Sequence, residues 1–552
     1  MFRFTGFYRR SALIALLTAF SLIFSLALLD GTLFAGSAGD TTAAEAEETV
    51  AVQILSINDF HGALVQSAKI SGRPAGGAAY LAAYMWEREA TNPRTIMVHA
   101  GDAVGASPVV SSLLQDEPTI QFLQFLGTDV GVPGNHEFDE GITELLRLQR
   151  GGRHETTGYF PGSGFPLVAA NVVDRATGDP VLPPYVIKTV DGIPIGFIGV
   201  VTIETPTIVM PSGVAGLAFL DPVETINKYV AELRAQGVEA IVVLAHEGGN
   251  QDPNTGEISG PIKDIAEKID DAVDIIISGH THTRLDGVVD GKLVVQAASG
   301  GTAFADVDFT IDRKTGDVVA AEAEIVDVWA DAIQPAPRIA KLVDTYQEKV
   351  RPLVQRVVGR AAHDITRQMS PAGESALGNL IADSQRWAAG TQMAFMNPGG
   401  IRADLPAGDV TWGKLYEIQP FGNTLVKMTL TGDQIYRLLN QQWQEQPGGQ
   451  IRTRFLQISG LKYAWDDRRP FGDKVTAVWL ESGEPLDRSA SYTVVVNSFL
   501  AAGGDNFTVF KEAKNTEILQ GDLEALVAYV KSLPQPFSSQ ITGRAIRVDL
   551  AQ

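Results

Sequence analysis

The sequence predicts an α/β protein of more than one domain, and three observations carry that prediction. The chain has 552 residues, more than the ~250–300 over which single cores keep growing. From about Val50 to Trp329, near-continuous apolar runs alternate with amphipathic ones, the pattern of a sheet covered on both faces. After the break Gln334-Pro335-Ala336-Pro337, a second alternating segment follows. Hydrophobic residues make up 45% and charged residues 20%, which excludes wholesale disorder.

The N-terminus reads as an export signal. Arg3, Arg9 and Arg10 precede nineteen uncharged residues, Ser11 to Leu29, and small residues (Ala35-Gly36-Ser37-Ala38) follow as a cleavage site needs. A cleaved signal over 1–38 is the first reading. An uncleaved membrane anchor is the second, because the run is just long enough to span a bilayer. The Arg pair alone is a poor twin-arginine motif, so ordinary secretion is expected. Either way the positive flank stays inside and the remainder is extracytoplasmic: secreted, periplasmic or cell-surface. Residues 39–49 read as a flexible tether.

The first domain, 50–334, is expected to hold strands at Val50–Ile57, Thr95–His99, Leu167–Val173, Ile195–Val201, Ala240–Ala245 and Asp274–Ser278. Helices are expected at Ala78–Glu89, Ile120–Leu126, Pro222–Gln236 and Pro261–Ile269. The stretch Gly287–Asp327 has hairpin cues at Asp290-Gly291 and Thr315-Gly316 and should close the domain with antiparallel strands. A connector, 335–359, carries the helical stripe Ile339, Leu342, Val343, Tyr346, Val350, Leu353, Val354, Val357, which Pro352 should kink or split. The second domain, 360–548, should place helices near Leu377–Ala388 and Gly432–Trp443. Its strands fall near Thr424–Leu430, Tyr492–Val496 and Ile541–Val548.

Sixty-five acidic residues against 44 basic ones give a net charge of −21, which disfavours nucleic-acid polymers and anionic membranes as partners. With no cysteine, disulfides, thiolate metal sites and a cysteine nucleophile are excluded, so any metal is held by His, carboxylate, amide or water.

Most of the eight histidines lie where apolar strands end, the place where α/β folds gather functional groups. The five ends read Asn58-Asp59-Phe60-His61-Gly62, His99-Ala100-Gly101-Asp102, Asn135-His136-Glu137-Phe138-Asp139, His246-Glu247-Gly248 and Gly279-His280-Thr281-His282. Each alone is weak, since a single Asp-x-His or Gly-Asp is more often a turn. Together they supply two carboxylates, one amide and four imidazoles, too many donors for one ion. With one carboxylate bridging, they fit two divalent ions ~3.5–4 Å apart. The donor types suit Mn, Zn, Mg, Fe or Co. His99 reads as buried, and His154 and His363 as solvated loop residues.

These motifs, in this order, resemble the signature of calcineurin-like metallophosphoesterases, and Asn-Asp-Phe-His-Gly with Gly-Asn-His-Glu-Phe-Asp resembles the 5'-nucleotidase family. The resemblance covers nearly all of 50–548. It implies a four-layer αββα sandwich, a connector helix and a smaller C-terminal α/β substrate-specificity domain. It places Asp59, His61 and His282 on one ion and Asn135, His246 and His280 on the other, with Asp102 bridging. It makes His136, oriented by Asp139, the catalytic pair. A hydroxide bridging the ions would attack phosphorus in line.

In the second domain, Asn397-Pro398-Gly399-Gly400-Ile401-Arg402 reads as an anion-facing turn with an Arg fork, against the bland alternative of an ordinary connection. Phe421 and Phe499 sit in Pro/Gly frames, and Asp505 follows a glycine turn. The resemblance assigns both Phe residues to base stacking, Asp505 to the ribose, and Asn397, Gly400 and Arg402 to the substrate. It departs at two points: an Arg usual in relatives corresponds to Pro371, with Arg367 the nearest candidate, and Pro398 replaces a usual Gly. A substrate touching both domains implies rotation about the connector.

The expectation is therefore a secreted dinuclear-metal 5'-nucleotidase, monomeric with an oligomer left open, acting on small nucleotides. The alternatives are a 2',3'-cyclic-nucleotide phosphodiesterase or UDP-sugar diphosphatase on the same scaffold, and a nucleotide-binding or adhesin protein with an inactive site.

Overall fold

The computed structural model describes residues 48–445 and 450–550, the last by its backbone. The expected export segment and residues 39–47 of the tether lie outside the described residues. Thr49, expected in the tether, opens the first strand.

The first domain is built on two sheets. In chain order its main strands are β1 (Thr49–Ile57), β2 (Thr95–Ala100), β3 (Val130–Val132), β4 (Tyr185–Val190), β5 (Ile193–Val201), β6 (Ala240–His246), β7 (Ile275–Ser278), β8 (Arg284–Val289), β9 (Lys292–Ala297), β10 (Ala303–Asp312) and β11 (Val318–Asp327). One sheet runs β11-β10-β1-β2-β3 and the other β8-β9-β7-β6-β5-β4. The apolar run Ile241–Ala245 shows why the strands lack polar alternation. Val242 and Leu244 point into the core between the sheets, while Ile241, Val243 and Ala245 point into a second core under outer helices. Helices α1 (Ala78–Glu89) and α2 (Glu117–Leu126) flank the first sheet; α3 (Pro222–Ala235) and α4 (Pro261–Ala266) cover the second. This is the αββα sandwich. The two expected hairpins form, but each extends the edge of a different sheet, and β9 also runs parallel to β7.

The expected strand Leu167–Val173 is only Val172–Asp174. Its first part threads between the sheets: Val168 N–H donates to Gly131 O at 2.8 Å and Ala170 N–H to Gly199 O at 2.7 Å. Successive backbone groups thus find partners in different sheets, so no ladder can form.

The connector is an unbroken helix, α5 (Pro337–Val354). Pro352 does not split it because it stands in the last turn, where few hydrogen bonds remain to lose. Ile339, Val343 and Val350 are buried, but Leu353 and Val357 are exposed. The helix packs on α1 and α2 and also on the helix Trp412–Ile418 of the second domain. One apolar cluster runs from the first domain through Ile339 and Val343 to Leu377, Leu415 and Leu526.

The second domain has the sheet β16-β12-β17-β13-β18, with β12 at Met393–Met396, β13 at Thr424–Thr431, β16 at Gln457–Ser459, β17 at Ser491–Asn497 and β18 at Lys514–Gly521. A hairpin, β14 (Trp443–Glu445) and β15 (Ile451–Thr453), projects between β13 and β16 in sequence. Helices α6 (Ala376–Ala389) and α7 (Gly432–Asn440) form as expected, α7 ending before Trp443. The expected strand Ile541–Val548 is only Ala545–Arg547, because Thr542 N–H and Arg544 N–H donate to the Glu374 carboxylate instead of a neighbouring strand.

Candidate functional site

The register of the sheets brings the five strand ends together. Ile57 pairs with His99, Ala100 with Val132, Val201 with His246 and Ala245 with Ser278, so the carboxyl ends finish on one edge of the sandwich. The loops after β1 and β2 bind each other: Asp59 N–H donates to Gly101 O at 3.0 Å and His61 N–H to Asp102 O at 2.9 Å. Five of the seven expected donors have positive φ: Asp59 48°, His61 47°, Asp102 48°, His280 75° and His282 57°. Non-glycine residues in this region carry strain, and strain of this kind concentrates where side chains must be aimed.

Three groups of side chains place ligand atoms within 4.8 Å of one another: Asp59, His61 and His282; His61, Asp102 and His136; Asp102, His246 and His280. Asp102 is therefore the carboxylate shared between two clusters. Asn135 joins the third of these, its Oδ1 lying 3.2 Å from His246 Nε2.

The donor set fits divalent ions. His61 Nδ1–H donates to Gly105 O at 2.9 Å and His246 Nδ1–H to Ala100 O at 2.8 Å. Each bond fixes the tautomer that turns Nε2 inward as a free donor. The Nε2 atoms of His61 and His282 face each other at 3.1 Å. Burial holds His61 and His280 near neutrality, with pKa values of about 3. Burial opposes charge on Asp102, but the imidazoles of His246, His136 and His61 outweigh it and hold the carboxyl well below its ordinary range. Burial likewise opposes charge on His246, but Asp102 beside it lifts that pKa to about 10, so without an ion Nε2 carries a proton that a bound cation would displace.

His136 stands one residue beyond Asn135. Its Nδ1 lies 2.6 Å from Asp139 Oδ2, and its backbone N–H donates to Asp102 Oδ1 at 2.8 Å. Burial disfavours the imidazolium, but Asp139 and Asp102 prevail and raise its pKa. Its ring stacks at 5.9 Å and 15° on Phe421 from the other domain.

A cavity of about 1060 Å³ opens over these residues. Asp102, Asn135, His136, Asp139, His280 and His282 line one side; Asn397, Gly400, Arg402, Phe421, Phe499 and Asp505 line the other. Phe499 is held by its N–H donating to Asn423 Oδ1 at 3.2 Å. Asn397 Nδ2 donates to Asp505 Oδ2 at 2.9 Å and Asn497 Nδ2 to Asn397 Oδ1 at 3.0 Å. Arg402 lies 5.9 Å over the Phe421 ring.

Arg367 is placed differently from the expectation. It is not among the residues lining the cavity, and its Nη1 donates to Ile401 O at 3.2 Å. The backbone bonds between Ile365 and Leu405 hold its segment behind the wall. His99 is buried as expected, whereas His363 reaches Ser539 O at 3.3 Å and His154 Nδ1 accepts from Thr156 N–H at 3.2 Å.

Some site residues escape sequence reasoning. Glu137 accepts from the backbone N–H groups of Asp102 at 3.0 Å, Ala103 at 2.8 Å and Gly134 at 2.5 Å, and so fixes the loop that aims Asp102. Its position after His136 was visible, but nothing local told that it turns inward. Glu204, Arg452 and Arg454 also line the cavity; they carry no motif, and only folding brings them there.

The model of the calcineurin-like phosphoesterase family matches residues 52–284, and that of the 5'-nucleotidase C-terminal domain matches 357–512. The chain is 41% identical over 509 residues to "Endonuclease YhcR" of Bacillus subtilis, covering 90% of this chain but only 41% of that protein's length. It is 39% identical to "Cell wall protein Lmo0130" of Listeria monocytogenes, covering 89% of this chain and 68% of that one. Among solved structures, a 5'-nucleotidase precursor from Thermus thermophilus superposes with a TM-score of 0.75 at 33% identity, covering 90% of this chain and 99% of its own. With both domains matched and a relative of this identity covered almost end to end, the chain belongs to the 5'-nucleotidase family, a calcineurin-like phosphoesterase domain followed by a 5'-nucleotidase C-terminal domain.

Proposed function

We propose that the protein is a secreted phosphohydrolase that uses two divalent ions to release phosphate from nucleoside 5'-monophosphates. The observation that carries this reading is one cavity with the clustered donors and the His136–Asp139 pair on one side and Phe421, Phe499 and Asp505 on the other.

Asp59, His61 and His282 would hold one ion and Asn135, His246 and His280 the other, with Asp102 between them. When bound, such ions polarise the phosphoryl group and lower the pKa of water at neutral pH. His136 donates Nδ1–H to Asp139, which leaves Nε2–H to give a proton to the departing oxygen. Arg402 offers its fork to phosphoryl oxygens as charge grows there. Phe421 and Phe499 supply stacking faces for a base, and Asp505 supplies acceptors for ribose hydroxyls. Closure of the domains about α5 would bring both halves onto one substrate. The likeness to a protein named for the cell wall supports an extracytoplasmic location.

A second reading, cleavage of a phosphodiester, is supported by the name endonuclease carried by the relative at 41% identity and by a cavity larger than one nucleotide fills. Product analysis by chromatography with added Mn²⁺ separates the two: adenosine plus inorganic phosphate from AMP for the first reading, and UMP from UDP-glucose, 2'- or 3'-AMP from 2',3'-cyclic AMP and shorter oligonucleotides from a single-stranded DNA for the second. AMP is expected as the best substrate, with activity lost in Asp102→Asn. A wild-type protein that cleaves only diesters would reject the first reading.

A further inference from the structure

The cavity contains a chain of alternating charge that crosses from one domain to the other. Arg452 Nη1 donates to Glu204 Oε2 at 2.8 Å, Arg454 Nη2 lies 3.8 Å from the same oxygen, and Arg454 Nη1 pairs with Asp505 Oδ1. In order the charges run Arg452 plus, Glu204 minus, Arg454 plus, Asp505 minus. Glu204 belongs to the first domain, where it precedes the helix Thr205–Ile208. The other three belong to the second.

Both sides of the boundary are fixed to something that matters. On the first domain, Thr202 N–H donates to His246 O at 3.0 Å, so the segment carrying Glu204 is tied to a strand end in the donor cluster. On the second, Asp505 is held in a left-handed conformation at φ 54° by Arg454, by Asn397 Nδ2 and by Gln444 Nε2, which donates to its carbonyl at 2.6 Å. The Arg454 side chain is only 11% exposed and that of Asp505 7%. Arg454 Nε is buried with no hydrogen-bond partner among the described residues. A buried carboxylate in a cavity meant for an anionic substrate needs a compensating cation. Arg454 meets that need while leaving lone pairs on Asp505 for hydroxyl groups.

We propose that Glu204, hydrogen-bonded to Arg452 and facing Arg454, closes an interdomain latch in which Arg454 positions Asp505 for the ribose of the substrate, so that closure of the domains and recognition of the nucleoside are one event. This rests on the reading of Asp505 as the ribose acceptor. Arg454 is a positioning residue: it acts through Asp505. Glu204 supplies the contact across the boundary, and an open arrangement would break it.

The test uses the metal-loaded protein. In Arg454→Gln, kcat/KM for AMP should fall about tenfold, carried by KM, because the partner of a buried charge pair is lost. For 2',3'-dideoxy-AMP, which has no ribose hydroxyls, variant and wild type should differ by less than about threefold. Glu204→Gln should raise KM for AMP in the same direction. Its dependence on ionic strength should be weaker than wild type, since it lacks a screened ion pair across the boundary. Calorimetric binding of adenosine should weaken in both variants. An equal loss on AMP and dideoxy-AMP, or no change in adenosine binding, overturns the latch. Wild-type protein that binds adenosine in this latch-dependent way but releases no phosphate would overturn the proposed reaction and leave the latch standing. Thermal unfolding that matches wild type confirms that each variant is folded.

Discussion

Gly134→Ala tests the geometry of the donor cluster without removing any donor. A Cβ at Gly134 would lie 2.1 Å from Asp102 Oδ1 and 2.5 Å from Asp102 N, where ordinary contact begins at 3.4 Å. The carboxylate would have to retreat by roughly 1 Å, a displacement that costs about 100-fold in rate at a positioned site. Retreat of the backbone is blocked, because Glu137 grips the N–H groups of Asp102 and Ala103 at 3.0 and 2.8 Å. Asp102 Oδ1 also accepts from His136 N–H at 2.8 Å, so its movement disturbs the acid as well as the shared carboxylate. The expected outcome is a fall of about 100-fold in kcat/KM and a loss of about tenfold or more in Mn²⁺ affinity. Calorimetric Mn²⁺ titration of chelator-stripped protein and phosphate release measure the two. Gly216→Ala, whose Cβ would meet nothing within 4 Å, is the control. A Gly134→Ala protein with wild-type Mn²⁺ affinity and near wild-type turnover would refute the idea that Asp102 is held between two ions by its loop.

His136→Ala and Asp139→Asn should each lower kcat by about 10²–10⁴-fold while Mn²⁺ stoichiometry stays at two, which calorimetry checks; loss of an ion would move His136 among the ligands. Removing metal with EDTA should abolish turnover and lower the unfolding temperature, since ions that bind the folded site and not the unfolded chain stabilise the fold; re-addition of Mn²⁺ should restore both. Phe421→Ala and Phe499→Ala should each raise KM for AMP by about 5- to 150-fold, the equivalent of about 1–3 kcal/mol of base stacking, but leave KM for 4-nitrophenyl phosphate near wild type. Burial lifts the Asp274 carboxyl to about 7 in the folded chain, above its unfolded value. The folded state then binds more protons, so stability falls as pH rises from about 4 to 7. Asp274→Asn should escape that fall and gain on the order of 2 kcal/mol relative to wild type at pH 8 over pH 5, read by urea unfolding; an equal gain at both pH values would contradict it.

Much of the first domain was legible because its strands are buried on both faces, which leaves uninterrupted apolar runs with histidines and aspartates at their ends. The helices Ala78–Glu89 and Pro222–Ala235 were legible for the complementary reason, a clear apolar stripe with a Pro or Gly boundary. The failures share a cause. Leu167–Asn171 looks like a strand, but its backbone bonds go to two different sheets. Residues 541–544 look like a strand, but Glu374, distant in sequence, takes their N–H groups. Hydrophobic pattern reports burial; it does not report which partner satisfies the backbone.

The sequence by itself determined the chemistry available: no thiolate, a surplus of negative charge, and oxygen and nitrogen donors placed where strands end. Those properties follow from residue type and from local periodicity. Only the tertiary structure decided which donors lie side by side, because the parallel registers that align Ile57 with His99 and Val201 with His246 are long-range pairings. It also decided that Arg367 stands behind the cavity wall while Arg454, which no motif marks, stands inside it. A guanidinium is assigned its partner by the surfaces that close around it, and those surfaces come from segments far apart in the chain.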